Sequence, residues 1–170
     1  MSLGHDPSRQ DVYDAESLAF LGTPLADLQS EQSIIADYRT AVADAWWKWG
    51  SIEIRRARAD MTRFGGLGGL DGVTTSAGRT HRSTVSHELA HVMAMRQGNR
   101  DHHGPHFRTA HLYTVGAIFG RQYADLLAQA YEDYVLPVFA SPAMLDIPNT
   151  PTINIDALSI ATAPRGGWSR

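Results

Sequence analysis

The chain has 170 residues, of which 43% are hydrophobic and 19% charged, with a net charge of -3 and no cysteine. This length suits one domain with a substantial core, and the weak negative charge gives no electrostatic basis for binding nucleic acid. Disulfides, cysteine-ligated zinc and a thiol nucleophile are excluded, and we expect a cytoplasmic protein. The N-terminus does not read as a secretory signal, and the longest apolar runs are too short to span a bilayer, so we expect no membrane partner.

The first third of the chain predicts two helices. Residues 1–10 read as a flexible N-terminal arm, and residues 11–20 as a short helix that ends before "GTP". Apolar residues recur at close to a 3.6-residue period from about 30 to 49, which predicts a longer helix. That helix would end in the tryptophan cluster "WWKW", which we interpret as part of the core rather than as a binding surface.

Short strands are predicted in the middle of the chain. In "SIEIRRARA" (51–59) apolar and charged residues alternate, as they do in a half-buried strand. The glycine-dense segment 64–72 lacks the features of a phosphate-binding loop, and we predict a mobile loop there. The β-branched residues at 73–77 predict a second strand, whose edge could accept an extended peptide.

The remaining pattern is helical as far as residue 134. We predict helices over 80–97, 105–120 and 121–134, the first stopped by a glycine and the second begun by a proline. The proline-rich residues 138–170 predict an extended or disordered tail. Strands among helices without internal repeats indicate an α+β fold with a small mixed sheet, formed by one domain over residues 11–137.

A candidate metal site lies in "HELAH", residues 87–91, within a region that holds seven of the eight histidines. His87 and His91 are one helical turn apart, with Cβ atoms about 5–6 Å from one another, so both rings can reach one zinc ion. Glu88 is rotated by about 100° around the helix, which directs it toward a zinc-activated water as a general base. We expect this face of the helix to line a cleft, while the opposite face packs on the core.

A zinc hydrolase normally has three protein ligands, and the third is expected in "DHHGPHF". We interpret His103 as this ligand, because it ends a tight turn from which the chain can fold back toward the helix. His102 is the close alternative, and His106 and His111 are further ones, whereas Asp101 is a less natural partner for two imidazoles. A purely structural zinc site would need a fourth ligand, which His102 or His106 could supply.

The two histidine motifs resemble those of the SprT-like zincin metallopeptidases. Their pattern is His-Glu-x-x-His followed by His-Gly-x-x-Phe/Trp, and here "HELAH" is followed by "HGPHF". In that family the histidine before the glycine completes the zinc site, which corresponds to His103. Residues 9–136 are also similar to a small actinobacterial family of metallohydrolases that is defined by sequence, through "RQDVYDAE", a helix ending in paired tryptophans, and "IEIRRAR". The resemblance implies a zincin-like fold over residues 11–137.

The leading hypothesis is a zinc metallopeptidase that acts on a peptide or protein. His87, His91 and His103 would hold Zn²⁺, and Glu88 would take a proton from the activated water. The alternative is a non-catalytic binding or scaffold module, stabilised by zinc in a closed four-ligand site, and hydrolysis of a non-peptide amide is a third hypothesis. The chain lacks the basic and cysteine-zinc modules of SprT-like proteases that act at DNA, so we expect no nucleic-acid partner.

Overall fold

The computed structural model describes residues 6–56 and 66–156. Within these ranges the structure has five helices and five short strands, and the predicted α+β class is confirmed. The helices are α1 (Arg9–Phe20), α2 (Glu31–Ala43), α3 (Thr84–Arg96), α4 (Pro105–Phe119) and α5 (Arg121–Asp133). The strands are β1 (Leu28–Gln29), β2 (Glu53–Arg56), β3 (Gly66–Gly68), β4 (Gly72–Thr75) and β5 (Thr80–His81), and single 3-10 turns occur at Pro24–Ala26 and Pro142–Met144.

The strands form two small sheets, one of which is mixed as predicted. β1 pairs antiparallel with β5. In the other sheet β4 is central, parallel to β2 and antiparallel to β3, with Val73 opposite Ile54 and Gly68. Because both sides of β4 are paired, the prediction that a peptide could add to the edge of 73–77 is wrong. The edge strand beside α3 is β3.

The glycine-rich segment differs from its prediction as a mobile loop. Residues 66–68 form β3, and a tight turn from Gly69 to Gly72 returns the chain into β4, with reciprocal N–H···O bonds of 2.9 and 3.3 Å. At Gly72 the backbone has φ +153°, and a Cβ would lie 2.0 Å from the carbonyl oxygen of Glu53. Glycine is therefore required where β4 approaches β2. Residues 64–65, and residues 57–59 of the predicted strand, lie outside the described residues.

Helix α2 ends at Ala43, earlier than the predicted end at Trp49. The Oδ1 of Asp44 accepts the N–H of Ala45 at 2.6 Å, and Asp44 itself is extended, so the chain leaves the helix there. Trp46 is 5% exposed, and its Nε1 donates to the Oγ1 of Thr152 at 2.9 Å. Trp46 therefore belongs to the core, as predicted, although it lies in a turn rather than in a helix.

The core is built around α3. This helix packs against α4, α4 against α5, and α5 against α1, and β3 also lies against α3. Helix α3 begins four residues later than predicted because Thr80 and His81 pair with β1. It ends where Gly98 adopts φ +85° and donates to the carbonyl of Met95 at 3.0 Å, as expected of a glycine stop.

The C-terminal segment, as far as it is described, packs against the domain. Ile147, Ile153 and Ile155 are all at most 8% exposed. The N–H groups of Thr152 and Ile153 donate to the carbonyls of Ala117 and Ile118, at 3.1 and 2.8 Å. Since the last carbonyls of a helix lack partners within it, this segment completes the end of α4. Residues 157–170 lie outside the described residues.

Among the described residues, no helix is long and apolar enough to cross a membrane.

Candidate metal centre

Three histidines converge between α3 and the start of α4. His87 and His91 come from α3, and His103 comes from the turn before α4, with one ring nitrogen of each within 4.8 Å of the others. The exposed fractions of His87 and His103 are 3% and 5%. The structure therefore brings together the three residues that the sequence predicted as metal ligands, in a group that could hold a metal ion.

The turn that carries His103 is held by its neighbours. Asp101 accepts the backbone N–H of His106 at 3.0 Å, which caps the first turn of α4. A Cβ at Gly104 would lie 2.4 Å from the Asp101 carboxylate, so the glycine after His103 makes room for this cap. The buried guanidinium of Arg108 donates to the carbonyl of His103 at 2.7 Å. Asp101 is thus engaged in capping.

The alternative third ligands lie elsewhere. His102 is exposed and adopts a left-handed backbone with φ +50°. His106 is exposed, and its Nδ1 is 3.0 Å from Asp101. His111 is fully buried, with its Nδ1 2.8 Å from the hydroxyl of Tyr131. Among the described residues, none of these three shares the group formed by the predicted ligands.

Two carboxylates contact two of the three histidine rings. The Nδ1 of His103 lies 2.5 Å from Asp6, and the Nδ1 of His87 contacts Glu16. Ionised carboxylates only accept hydrogen bonds, so the Nδ1 of each ring donates to its carboxylate. The two Nε2 atoms face each other at 3.2 Å.

This facing pair fits a bound cation. A proton on the Nε2 of His87, whose pKa the facing Glu16 raises, allows a hydrogen bond to His103 at this distance, and a metal ion held by both nitrogens would replace that proton. Ligands of a tetrahedral ion with bonds of about 2.0–2.1 Å are separated by about 3.3–3.4 Å. The separation of the Nε2 atoms of His87 and His103, 3.2 Å, is close to that value. This one separation is therefore compatible with two ligands of a tetrahedral ion, within a group that could hold a metal.

The ring pKa values follow from burial and from the two carboxylates. Burial lowers the pKa of His91 and, despite the opposing charge of Asp6, that of His103. Burial would also lower the pKa of His87, but the facing Glu16 raises it above its ordinary value. His91 and His103 are therefore neutral and able to act as ligands at pH 7. The Glu16 carboxylate favours a positive charge on the ring of His87, supplied by a proton or by a metal.

Glu88 is buried against the edge strand. The residue is only 6% exposed, and its Oε2 accepts a hydrogen bond from the N–H of Gly68 at 2.5 Å. Burial raises the pKa of Glu88, and the nearby His87 and the N–H of Gly68 offset only part of that rise. A carboxyl with a raised pKa can exchange a proton at pH values closer to neutrality than a solvated one can.

Aromatic rings cover the histidines. Phe107 is fully buried, with its ring centroid 4.2 Å from that of His91, 4.8 Å from His103 and 4.9 Å from His87. The ring of Tyr13 lies 5.4 Å from those of His87 and His103. The face of α3 that was expected to line a cleft is therefore largely covered by α1, α4 and β3.

A second group of possible ligands consists of Glu16, His87 and His111. Here the Oε1 of Glu16 is in hydrogen-bond contact with the Nδ1 of His87 and lies 3.4 Å from the Nδ1 of His111. Such close contact of a carboxylate oxygen with a ring nitrogen is typical of a hydrogen bond. We therefore interpret this group as a network that supports His87.

Sequence reasoning missed three participants in the site. Glu16 carried a usable signal, because this acidic residue lies on the same face of α1 as the buried Val12 and Ala15. Asp6 fell within the predicted arm, and nothing local distinguishes it from a solvated residue. The glycine density around Gly68 was noted without a role, because its contact with Glu88 joins residues 20 positions apart.

Comparison of the chain with protein-family models, with curated proteins and with solved structures gives no match. The resemblance to SprT-like zincins therefore stays a prediction.

Proposed function

We propose that this protein is a zinc-dependent hydrolase with a zincin-like fold, and specifically a metallopeptidase. The observation that carries the proposal is the pair of Nε2 atoms of His87 and His103, which face each other at 3.2 Å while both Nδ1 atoms are engaged by carboxylates. Imidazole nitrogens are ligands that suit zinc, and His91 would provide the third.

Zinc, when bound, would lower the pKa of a water molecule and polarise a substrate carbonyl. Glu88 is the residue that would accept the proton. The N–H of Gly68 donates to its Oε2, and the proton would go to its Oε1. The raised pKa of the Glu88 carboxyl supports proton uptake followed by its transfer to a leaving amine.

An extended peptide is the substrate that the surrounding backbone favours. β3 lies on α3 beside Glu88 and pairs with β4 on one side only, among the described strands. Main-chain hydrogen bonds from such an edge can hold a peptide in an extended form. Substitution of the peptide by another amide would leave the proposed roles of the histidines and Glu88 unchanged.

The non-catalytic alternative needs a fourth protein ligand. His102 is exposed and His106 is paired with Asp101, and this placement favours the three-ligand proposal over the closed site. The extensive burial of His87 and Glu88 is the feature that a binding or scaffold module would explain best.

Cleavage by zinc-loaded protein tests the proposal. The wild type and Glu88→Gln would be incubated with a complex mixture of tryptic peptides, and new termini would be identified by mass spectrometry. We expect Glu88→Gln to keep its zinc and to lose about 10²–10⁴-fold in rate, the usual contribution of a general base. Glu132→Gln, at an exposed glutamate of α5, is the matched control and should cleave at the wild-type rate. Full activity of zinc-loaded Glu88→Gln, or no cleavage by a fully loaded wild type, would contradict the proposal.

A further inference from the structure

One face of the N-terminal segment is directed at the metal centre. Tyr13 and Glu16 are three residues apart on α1, the spacing of one helical face, and Asp6 lies in the turn that precedes the helix. Asp6 contacts His103, Glu16 contacts His87, and the ring of Tyr13 packs against both histidines. This face therefore spans the two ligands whose Nε2 atoms oppose each other.

The two carboxylates are largely withdrawn from solvent. The side chains of Asp6 and Glu16 are 15% and 13% exposed. Burying a carboxylate costs free energy unless it is paired, and here each has the N–H of a ligand ring as its partner. That pairing turns Nδ1 toward the carboxylate, so that Nε2 faces the other ligand ring, and it restrains the rotation of the ring.

We propose that Asp6 and Glu16 are positioning residues of the metal centre, each of which holds one ligand histidine with its Nε2 free for the metal. The inference rests on the metal site of the proposed function. The Oε1 of Glu16 also lies 3.4 Å from the Nδ1 of His111, which is 2.8 Å from the hydroxyl of Tyr131. The first residues of the chain, expected to be a flexible arm, thereby contribute Asp6 to the site.

A purely structural role would have a different signature. If the carboxylates served only as ion pairs that stabilise the fold, their loss would lower the melting temperature of the metal-free protein and leave the metal affinity unchanged. A positioning role instead changes the affinity, because carboxylates that accept from the second ring nitrogen of a ligand typically contribute about 10–100-fold.

Asp6→Asn and Glu16→Gln test the inference, because an amide keeps the shape and can still accept from Nδ1 while the charge is lost. Zinc affinity would be measured by competition with a chromophoric chelator, and the ligand geometry by the visible absorption of bound cobalt(II). We expect each variant to raise the dissociation constant for zinc about 10–100-fold and to change the cobalt spectrum. Asp11→Asn, at an exposed position of the same helix, should match the wild type in both.

An unchanged zinc affinity in both variants would overturn the inference. Asp6 precedes α1, so Asp6→Ala carries little risk to folding and decides the question if the Glu16 variant does not fold. A wild type that binds neither zinc nor cobalt would overturn both this inference and the proposed function. A wild type that binds zinc more tightly than the Asp6 and Glu16 variants do, yet cleaves no peptide, would overturn only the proposed function.

Discussion

At the scale of the residue, the candidate site depends on differences between neighbours of the same type. His102 and His103 are adjacent imidazoles, and the sequence offers either as the third ligand. The left-handed backbone at His102, φ +50°, sends the two side chains into different surroundings. His103 is 5% exposed and contacts Asp6, whereas His102 is exposed. Backbone conformation thus selects one of two chemically equal candidates.

Metal content should separate these two histidines. We expect about one zinc per chain in the wild type and a large loss in His103→Ala, because two remaining imidazoles form an incomplete site. His102→Asn should retain its zinc, and asparagine is chosen because it tolerates a left-handed backbone. Elemental analysis after dialysis measures both. Retention of zinc by His103→Ala together with its loss from His102→Asn would reverse the assignment.

At the scale of the element, the contact between β3 and α3 determines the environment of Glu88. The two elements approach so closely that a Cβ at Gly68 would lie 2.3 Å from the carbonyl oxygen of Glu88 and 2.9 Å from the Cβ of His91. Only a glycine allows its N–H to reach the Glu88 carboxylate at this spacing. β3 therefore places a backbone N–H group directly against α3.

Gly68→Ala should be destabilising, since its Cβ meets backbone atoms that cannot rotate away. We expect a loss of about 1–3 kcal/mol in the free energy of unfolding, the usual cost of overpacking. Gly69→Ala is the matched control, because a Cβ there would have nothing within 4 Å. Urea denaturation of the metal-free proteins measures both. Equal stability of the two variants would show that β3 does not rest on α3 in solution.

At the scale of the whole molecule, both ends of the described chain fold back onto the helices. In the N-terminal segment the carboxylate of Asp6 contacts the ring of His103. In the C-terminal segment the N–H of Ile153 donates to the carbonyl of Ile118 at the end of α4. Ile147 packs against α4 where a Cβ at Gly116 would come within 2.7 Å of it. These contacts join segments more than 30 residues apart, so the stability of the helical core depends on them.

Ile155→Ala tests the contribution of the C-terminal segment. Ile155 is 1% exposed, and removing its buried methyl and methylene groups should lower the free energy of unfolding by about 2–5 kcal/mol. Met144→Ala, in the same segment but at a residue 76% exposed, should change it by less than about 0.5 kcal/mol. Thermal or urea denaturation gives both values. An Ile155 variant as stable as the wild type would mean that this segment does not dock.

What the sequence determined by itself is what short-range geometry controls. The spacing of His87 and His91 on a helix, the start of α4 at Pro105 and the α+β class all follow from periods and stop signals within a few residues. The place of His103 followed from its turn, together with the resemblance of "HGPHF" to a known motif. Each of these features is encoded where it occurs, so neighbouring residues are enough to predict it.

Only the tertiary structure decided the features that join distant segments. Glu16 and His87 are 71 positions apart, and Asp6 and His103 are 97 apart, so neither pair leaves a periodic trace. The end of α2 was missed for a related reason: the tryptophan that continued its apolar period bonds instead to Thr152, 106 positions away. Local periodicity shows which residues are apolar, but packing decides which surface buries them, and the same packing brings together the three histidines of the candidate metal centre.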